Sequence, residues 1–330
     1  DVKELITEYQ MPERYRSLRK ERIKIIRTLD LLIIDEISMV RADLMDAMDM
    51  ILRKYRHNDK PFGGVQLLMI GDAQQLSPVV KENERQYISQ VYQSPYFFHS
   101  KALQKLSYVT IELQKVYRQQ DADFVNILNG IRENNLTGEL LRELNARVKA
   151  FESSDDVIRL TTHNAQADKV NSMKLDELPG EAKTFGAEVE GEFPENSYPA
   201  DEVLTLKKGA QVMFIRNDSE AGFYNGKIGK VSDIKANGQV TVTDSDGLDI
   251  IVSPVEWTNS QYVLDDESGE IQQSVVGTFK QLPLRIAWAI TIHKSQGLTF
   301  DKAIIDAAAS FASGQVYVAL SRCRTLQGMV

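Results

Sequence analysis

The sequence predicts an α/β fold built on parallel strands, with a small all-β module inserted in its second half. Three observations lead there. Residues 31–36 read L-L-I-I-D-E, an apolar run of strand length that closes on two acids. An amphipathic helix pattern and a second apolar run, residues 65–70, follow directly, and strand–helix–strand is the order that builds a parallel sheet. From about Leu206 the texture changes to short alternating runs separated by Gly, Asn and Asp, the pattern of β-strands and tight turns.

In chain order, residues 1–27 are polar, with a basic cluster from Arg14 to Arg27, and read as loop and helix. Residues 29–35 read as a short buried strand. Residues 41–55 read as a helix because Leu44, Met48, Ile51, Leu52 and Tyr55 recur at helical spacing. Pro61, Gly63 and Gly64 break the chain into a turn over 57–64. The second strand, apolar except for Gln66, ends in Gly71-Asp72. Residues 103–113 are expected to return the chain to the core. Val116-Tyr-Arg-Gln119 opens a new region, with helices expected over 123–134 and 140–148 and a strand over 157–161, followed by a polar segment to Gln166. Runs 211–215, 231–234, 240–242 and 250–252 supply the β module. The mixed pattern resumes at Leu284, with a helix expected at 316–320.

Composition narrows the function classes. A chain of 330 residues accommodates two or three domains. No apolar stretch approaches the ~20 residues that span a bilayer, so no membrane partner is expected. A single cysteine, Cys323, excludes an internal disulfide framework and cysteine-rich zinc sites, and it suits a reducing compartment. The net charge of −8 is uneven. Residues 181–272 hold 7 basic and 18 acidic residues, a local balance of −11, which leaves +3 on the rest. That surplus can line a groove for phosphates, because such contacts are local. Lys227 and Lys230 flank a Gly-containing turn that suits a nucleic-acid strand, although the module around them is acidic.

Four constellations carry chemistry. Asp35-Glu36 after an apolar strand is the Walker B pattern: one carboxylate holds Mg²⁺ through water and its neighbour polarises the attacking water. Two solvated acids at a strand end would read the same. The second is Gly71-Asp-Ala-Gln-Gln75-Leu-Ser-Pro78-Val79, at the end of the next strand. The Gln75 carboxamide both donates and accepts, so it can bridge a γ-phosphate and the protein; a plain surface turn is the alternative. The third is Arg118 with Arg322, the cation pair that phosphoryl transfer needs, although an isolated arginine is more often a solvated surface residue. The fourth is Thr291-Ile-His293-Lys294-Ser-Gln-Gly297, too polar for core and rich in groups that grip a phosphate backbone. A core histidine is the ordinary role for His293.

Together, in this order, the four resemble motifs II to VI of superfamily 1 helicases. Lys60-Pro-Phe-Gly-Gly64-Val-Gln-Leu resembles the signature element of the petite-integration-frequency (PIF) DNA helicases, within superfamily 1B. Segments 161–171 and 206–214 are similar to later parts of that family, and the resemblance runs from about Ile23 to Thr325. It implies two RecA-like P-loop NTPase-type domains with parallel sheets, the first incomplete. The first would occupy residues 1–113, the second 114–205 and 282–330, with a small SH3-like β-barrel at 206–281 inserted in the second. It implies ATP and Mg²⁺ as cofactors, with Asp35 holding the metal, Glu36 activating water, Gln75 sensing the γ-phosphate, Gly297 lying near it, and Arg118 and Arg322 as arginine fingers. Pro78, Val79, Thr162, His163, Asn164, Thr291, His293 and Lys294 would face single-stranded DNA.

The implied activity is 5′-to-3′ movement on single-stranded DNA and unwinding of forked duplexes and G-quadruplexes. The implied setting is replication, repair, recombination and telomere-type processes, in a bacterial cytoplasm or a eukaryotic nucleus or mitochondrion, as a monomer. One part of the pattern is missing: no G-K-[ST] phosphate-cradling loop occurs in the 330 residues, and the chain starts at Asp1. The expectation is a motor whose nucleotide-cradling segment lies elsewhere, in the same parent chain or a separate one, so that these residues alone hydrolyse ATP negligibly. A passive single-strand-binding module, indifferent to nucleotide, is the competing class. A RecD-type recombination helicase is a third reading, disfavoured by the signature at Lys60.

Overall fold

The computed structural model describes residues 18, 20–119, 121–148, 157–264, 271–306, 310, 312 and 314–330. The chain forms two units. The first comprises Asp1–Gln114, Gln261–Ser274 and Ala312–Gly314, and the second the remainder.

In the first unit the order is α1 (Lys20–Thr28), β1 (Leu31–Ile34), α2 (Ala42–Arg56), β2 (Gln66–Met69) and α3 (Glu82–Val91). β1 and β2 pair in parallel, Leu31 opposite Gln66 and Ile34 opposite Met69, as the strand–helix–strand pattern predicts. Helix α2 buries Met45 and Leu52, two of its apolar positions, beside Ile34, Ile37, Phe62, Val65, Ala102 and Leu103. The helix stops at His57, whose left-handed backbone lets its N–H cap the Arg53 and Lys54 carbonyls. Arg56 then ties three pieces together: Nε donates to the Gly63 carbonyl at 3.0 Å, and Nη1 to those of Ile26 and Arg27 at 2.9 Å.

Two expectations for this unit are corrected. β1 is buried on one side only: Ile34 is covered, whereas Leu31 and Ile33, with Leu68 and Ile70 from the second strand region, are exposed. Residues 103–113 do not return to the core beyond Leu106, which packs against it half-buried; Val109 is 88 % exposed, Ile111 81 % and Leu113 87 %. Apolar letters record that a segment is fit to be buried, not that a partner is there to bury it, and no described residue covers this one. Helix α3 was not foreseen, because its sequence ENERQYISQV buries only Ile88.

The remaining elements, in the second unit apart from residues 261–264 of β11 and 271–274 of β12, are α4 (Ala122–Arg132), α5 (Gly138–Asn145), β3 (Ile158–Thr161), α6 (Asn164–Glu177), β4 (Lys183–Gly186), β5 (Glu188–Gly191), β6 (Val203–Leu206), β7 (Gln211–Phe214), β8 (Ile228–Ile234), β9 (Val240–Asp244), β10 (Asp249–Val252), β11 (Val255–Leu264), β12 (Ile271–Gln281), β13 (Leu284–Ile286), β14 (Ala289–Thr291), β15 (Ala303–Ile305) and α7 (Gln315–Leu320). β3 lies between β14 and β15, parallel to both. Helix α6 is held to this sheet by Asn171, whose carboxamide donates to the Ala289 carbonyl at 2.9 Å and accepts from its N–H at 2.8 Å.

The β module is present but is not the closed SH3-like barrel expected. Its strands form a five-stranded antiparallel sheet, β10-β9-β8-β7-β13, a separate three-stranded sheet, β11-β12-β5, and a β4–β6 pair. β structure therefore begins at Lys183, before Leu206, and the larger sheet takes its edge strand from Leu284–Ile286, beyond residue 281. A chain of turns and alternating runs predicts strands; which edges close on each other is set by non-local pairing. The core of this region includes Val212, Phe214, Val231, Val242 and Leu284, with Phe214 stacked on Phe223 at 4.3 Å.

Candidate nucleotide and nucleic-acid site

In the first unit, the hydrogen-bond ladder continues past the strand ends. Ile70 N donates to the Ile34 carbonyl and Ile37 N to the Ile70 carbonyl, both at 2.9 Å. Asp35-Glu36 and the segment starting at Gly71 are therefore neighbours at the carboxyl edge of the sheet, where parallel sheets bind ligands. Gly71 makes this possible, since a Cβ there would lie 3.0 Å from the Ile37 nitrogen. Asp35 is exposed and accepts the Glu36 N–H at 2.9 Å. Glu36 takes φ 49°, ψ 45°, a left-handed conformation that costs a non-glycine residue about 1–3 kcal/mol and is often found at functional sites. Gln75 is half-buried in a turn closed by Asp72: its N–H donates to the Asp72 carbonyl at 3.0 Å, and its Nε2 lies 3.4 Å from Asp72 Oδ2. Pro78 is buried and Val79 exposed.

The second unit brings Arg118 and Arg322 together. Arg118 Nη1 reaches the Ser321 carbonyl at 3.5 Å. Arg322 is only 2 % exposed; Nε donates to the Val318 carbonyl at 2.8 Å and Nη2 to Ser321 Oγ at 2.7 Å. Burial lowers the Arg118 pKa from its usual value. The adjoining cavity, about 460 Å³, is lined by Tyr117, Arg118, Thr299, Arg324 and Thr325. Two polar residues here escape a reading of the letters. Arg324 is half-exposed and 3.4 Å from Asp301. Gln119 is buried beneath the turn, its Nε2 donating to the carbonyls of Ser321 at 2.9 Å and Cys323 at 3.0 Å. Adjacency to Arg118 was the one available signal for Gln119; its burial is tertiary.

The nucleic-acid candidates cluster at the ends of β3 and β14, where Thr291 stands opposite Thr161. His163, Asn164, Lys294 and Gly297 are exposed there, and His293 is half-buried, its pKa lowered by that burial so that the ring is neutral at pH 7. Thr162 and Thr291 are buried: the Thr162 hydroxyl meets His163 Nδ1 at 2.8 Å, and Thr291 Oγ1 accepts the Lys294 N–H at 3.4 Å. They shape the cluster from below. Lys227 is engaged elsewhere, in an ion pair with buried Asp244 at 2.8 Å.

Known proteins match this arrangement. A family model described as PIF1-like helicase matches residues 13–139. The human ATP-dependent DNA helicase PIF1 is 38 % identical over 310 residues, which cover 90 % of this chain and 45 % of that protein. The crystal structure of Bacteroides sp Pif1 in complex with ADP-AlF4 aligns at TM-score 0.91 and 40 % identity, over 100 % of this chain and 77 % of that one. Bacteroides Pif1 bound to ssDNA aligns at 0.65 and 40 %, over 100 % and 78 %. The chain spans about half the length of the vertebrate relatives it matches.

Proposed function

The chain belongs to the PIF1-like helicase family, and from that premise we propose that it forms part of an ATP-driven DNA helicase. This motor moves 5′ to 3′ on single-stranded DNA and opens forked duplexes and G-quadruplexes in replication, repair, recombination and telomere-type processes. It works in a bacterial cytoplasm or a eukaryotic nucleus or mitochondrion.

The observation that carries most weight is the β1–β2 register, which seats Asp35-Glu36 beside Gly71–Gln75 at one sheet edge. No group of three or more His, Cys, Asp or Glu suited to a metal occurs among the described residues. One exposed carboxylate is instead the donor set that suits Mg²⁺ held together with water and substrate phosphates. When bound, the metal neutralises phosphate charge. Glu36 takes the proton of the attacking water, Gln75 orients that water and reads the γ-phosphate, and Arg118 and Arg322 stabilise the charge that builds on the transferred group. His163, Asn164, His293 and Lys294 grip the DNA backbone and exposed Val79 faces the strand, while buried Pro78, Thr162 and Thr291 support these positions. The phosphate cradle is supplied by a segment outside these 330 residues.

The test is Glu36→Gln in the complete protein. Loss of at least about 100-fold in ATP turnover is expected, the magnitude general-base removal gives, with single-strand affinity unchanged. Parallel loss of both would make Glu36 a structural residue and remove the hydrolytic reading.

A further inference from the structure

We propose that Gln119 is the positioning residue of the arginine pair: its single carboxamide, donating to the Ser321 and Cys323 carbonyls on either side of Arg322, fixes the turn that carries Arg322 to the segment that carries Arg118. The inference deepens the proposed function and rests on its assignment of both arginines to the γ-phosphate.

The geometry is specific. Three successive carbonyls of the turn are each held: Ser321 by Gln119 at 2.9 Å and Arg118 at 3.5 Å, Arg322 by the Phe300 N–H at 2.9 Å, and Cys323 by Gln119 at 3.0 Å. Arg324 N returns to the Phe300 carbonyl at 3.1 Å, so Phe300 holds the turn from one side and Gln119 from the other. Gln119 is 7 % exposed. A neutral donor of two hydrogen bonds is what two buried acceptors require; an ionised carboxylate offers none and a thioether offers none. Without Gln119 the Cys323 carbonyl loses its donor in a dry setting, and the turn opens to find water. Arg322 sits between the two clamped carbonyls, so the backbone that carries its guanidinium moves only with them, and the guanidinium is itself tied to the same turn through Val318 and Ser321. Arg118 is the residue next to the clamp. Gln119 thus ties two arginines 204 residues apart (Gln119 to Cys323 by the same bond) into one rigid element, and rigid support is what holds charge-stabilising groups in productive geometry.

Cys323 provides the assay, because it is the only thiol in the chain and is fully buried in the clamped turn. In the 330-residue chain, Gln119→Met keeps length and volume but removes both donors. Reaction of Cys323 with a disulfide reagent is expected to speed up about tenfold, as local opening of the turn exposes the thiol. In the complete protein the same substitution is expected to lower kcat for ATP about tenfold while KM stays within about twofold, the mark of support given only in the transition state. If Gln119→Met fails to fold, Gln119→Glu retains a polar group of the same length and is read the same way. An unchanged labelling rate overturns the clamp. Unchanged kcat, while Arg118→Ala or Arg322→Ala abolishes turnover, overturns the positioning role. Unchanged kcat in both arginine variants instead sinks the arginine assignment itself, and labelling then decides alone whether Gln119 holds the turn.

Discussion

Phe62 shows how much one side chain can hold. It is fully buried, takes a left-handed backbone (φ 53°), and donates its N–H to Asp49 Oδ1 at 2.6 Å. Its ring fills the core between α2 and the strands, so Phe62→Ala should cost about 3–5 kcal/mol, read as a lower urea midpoint with unchanged m-value. Asp244 makes a pH statement. Burial pushes its carboxyl up, but the hydrogen bond from Lys227, the Leu248 and Asp246 amides and the Lys227 charge outweigh that and leave its pKa below the usual value. A depressed folded pKa means the contribution is complete above the unfolded value of about 3.9 and is lost as pH falls through the folded value. Lys227→Met should therefore destabilise the protein more at pH 7 than at pH 3, in urea titrations at both; an equal loss at both would show that the pair contributes nothing to folding. Glu36 is informative through its backbone: nothing in L-L-I-I-D-E requires a left-handed acid, and the next residue, Ile37, bonds the Ile70 carbonyl as the chain passes the second strand.

At the scale of elements, period and punctuation decided what could be read. α2 was legible because Leu44, Met48, Ile51, Leu52 and Tyr55 recur at helical spacing, although of these only Leu52 and Tyr55 are buried and Leu44 is exposed; Pro61-Phe-Gly-Gly64 follows its end as a turn. Gly63 has φ 60° and faces the Leu52 carbonyl, where a Cβ would come within 2.7 Å, so position 63 tolerates no side chain. The β-strands of the module were legible by alternation. α6 was not, because its polar and apolar residues show no sidedness and it fully buries only Ala167; two bonds from Asn171 to Ala289, with half-buried Val170 and Leu175 against the core, hold it. Residues 103–113 mislead for the opposite reason, reading as core while lying open beyond Leu106. Ile111→Ser should then change stability by under about 0.5 kcal/mol, the range of surface substitutions, whereas Leu103→Ala should cost about 2–5 kcal/mol. Equal losses at the two positions, by thermal or urea unfolding of the 330-residue chain, would show that Ile111 is packed.

At the scale of the whole molecule, the two units carry different halves of the proposed chemistry: acids and glutamine in the first, arginines and the strand-end cluster in the second. Exposed apolar residues gather in the first, at Leu31, Ile33, Leu68 and Ile70 and along 108–113. An open parallel sheet of two strands is uncommon, since such sheets are covered on both faces. This face is expected to bind a hydrophobic dye in the isolated chain, and Ile33→Ser with Leu68→Ser should reduce that signal. The isolated chain should also hydrolyse ATP negligibly, because phosphate-loop backbone amides and lysine supply most ground-state nucleotide binding. Appreciable DNA-stimulated turnover by the purified 330 residues would refute the need for an external cradle.

The letters alone determined the parallel α/β class and the strand and turn positions around Asp35 and Gly71, and they put forward Glu36, Gln75, Arg118 and Arg322 as site candidates. They did so because strand periodicity, turn chemistry and motif order are properties of neighbours along the chain. The tertiary structure decided the rest: which β edges pair, that Arg322 is buried, that Thr162 and Thr291 face inward, and that Gln119 reaches across 202 residues to the Ser321 carbonyl. Each of those depends on a partner distant in sequence, and burial is a property of the pair rather than of either residue.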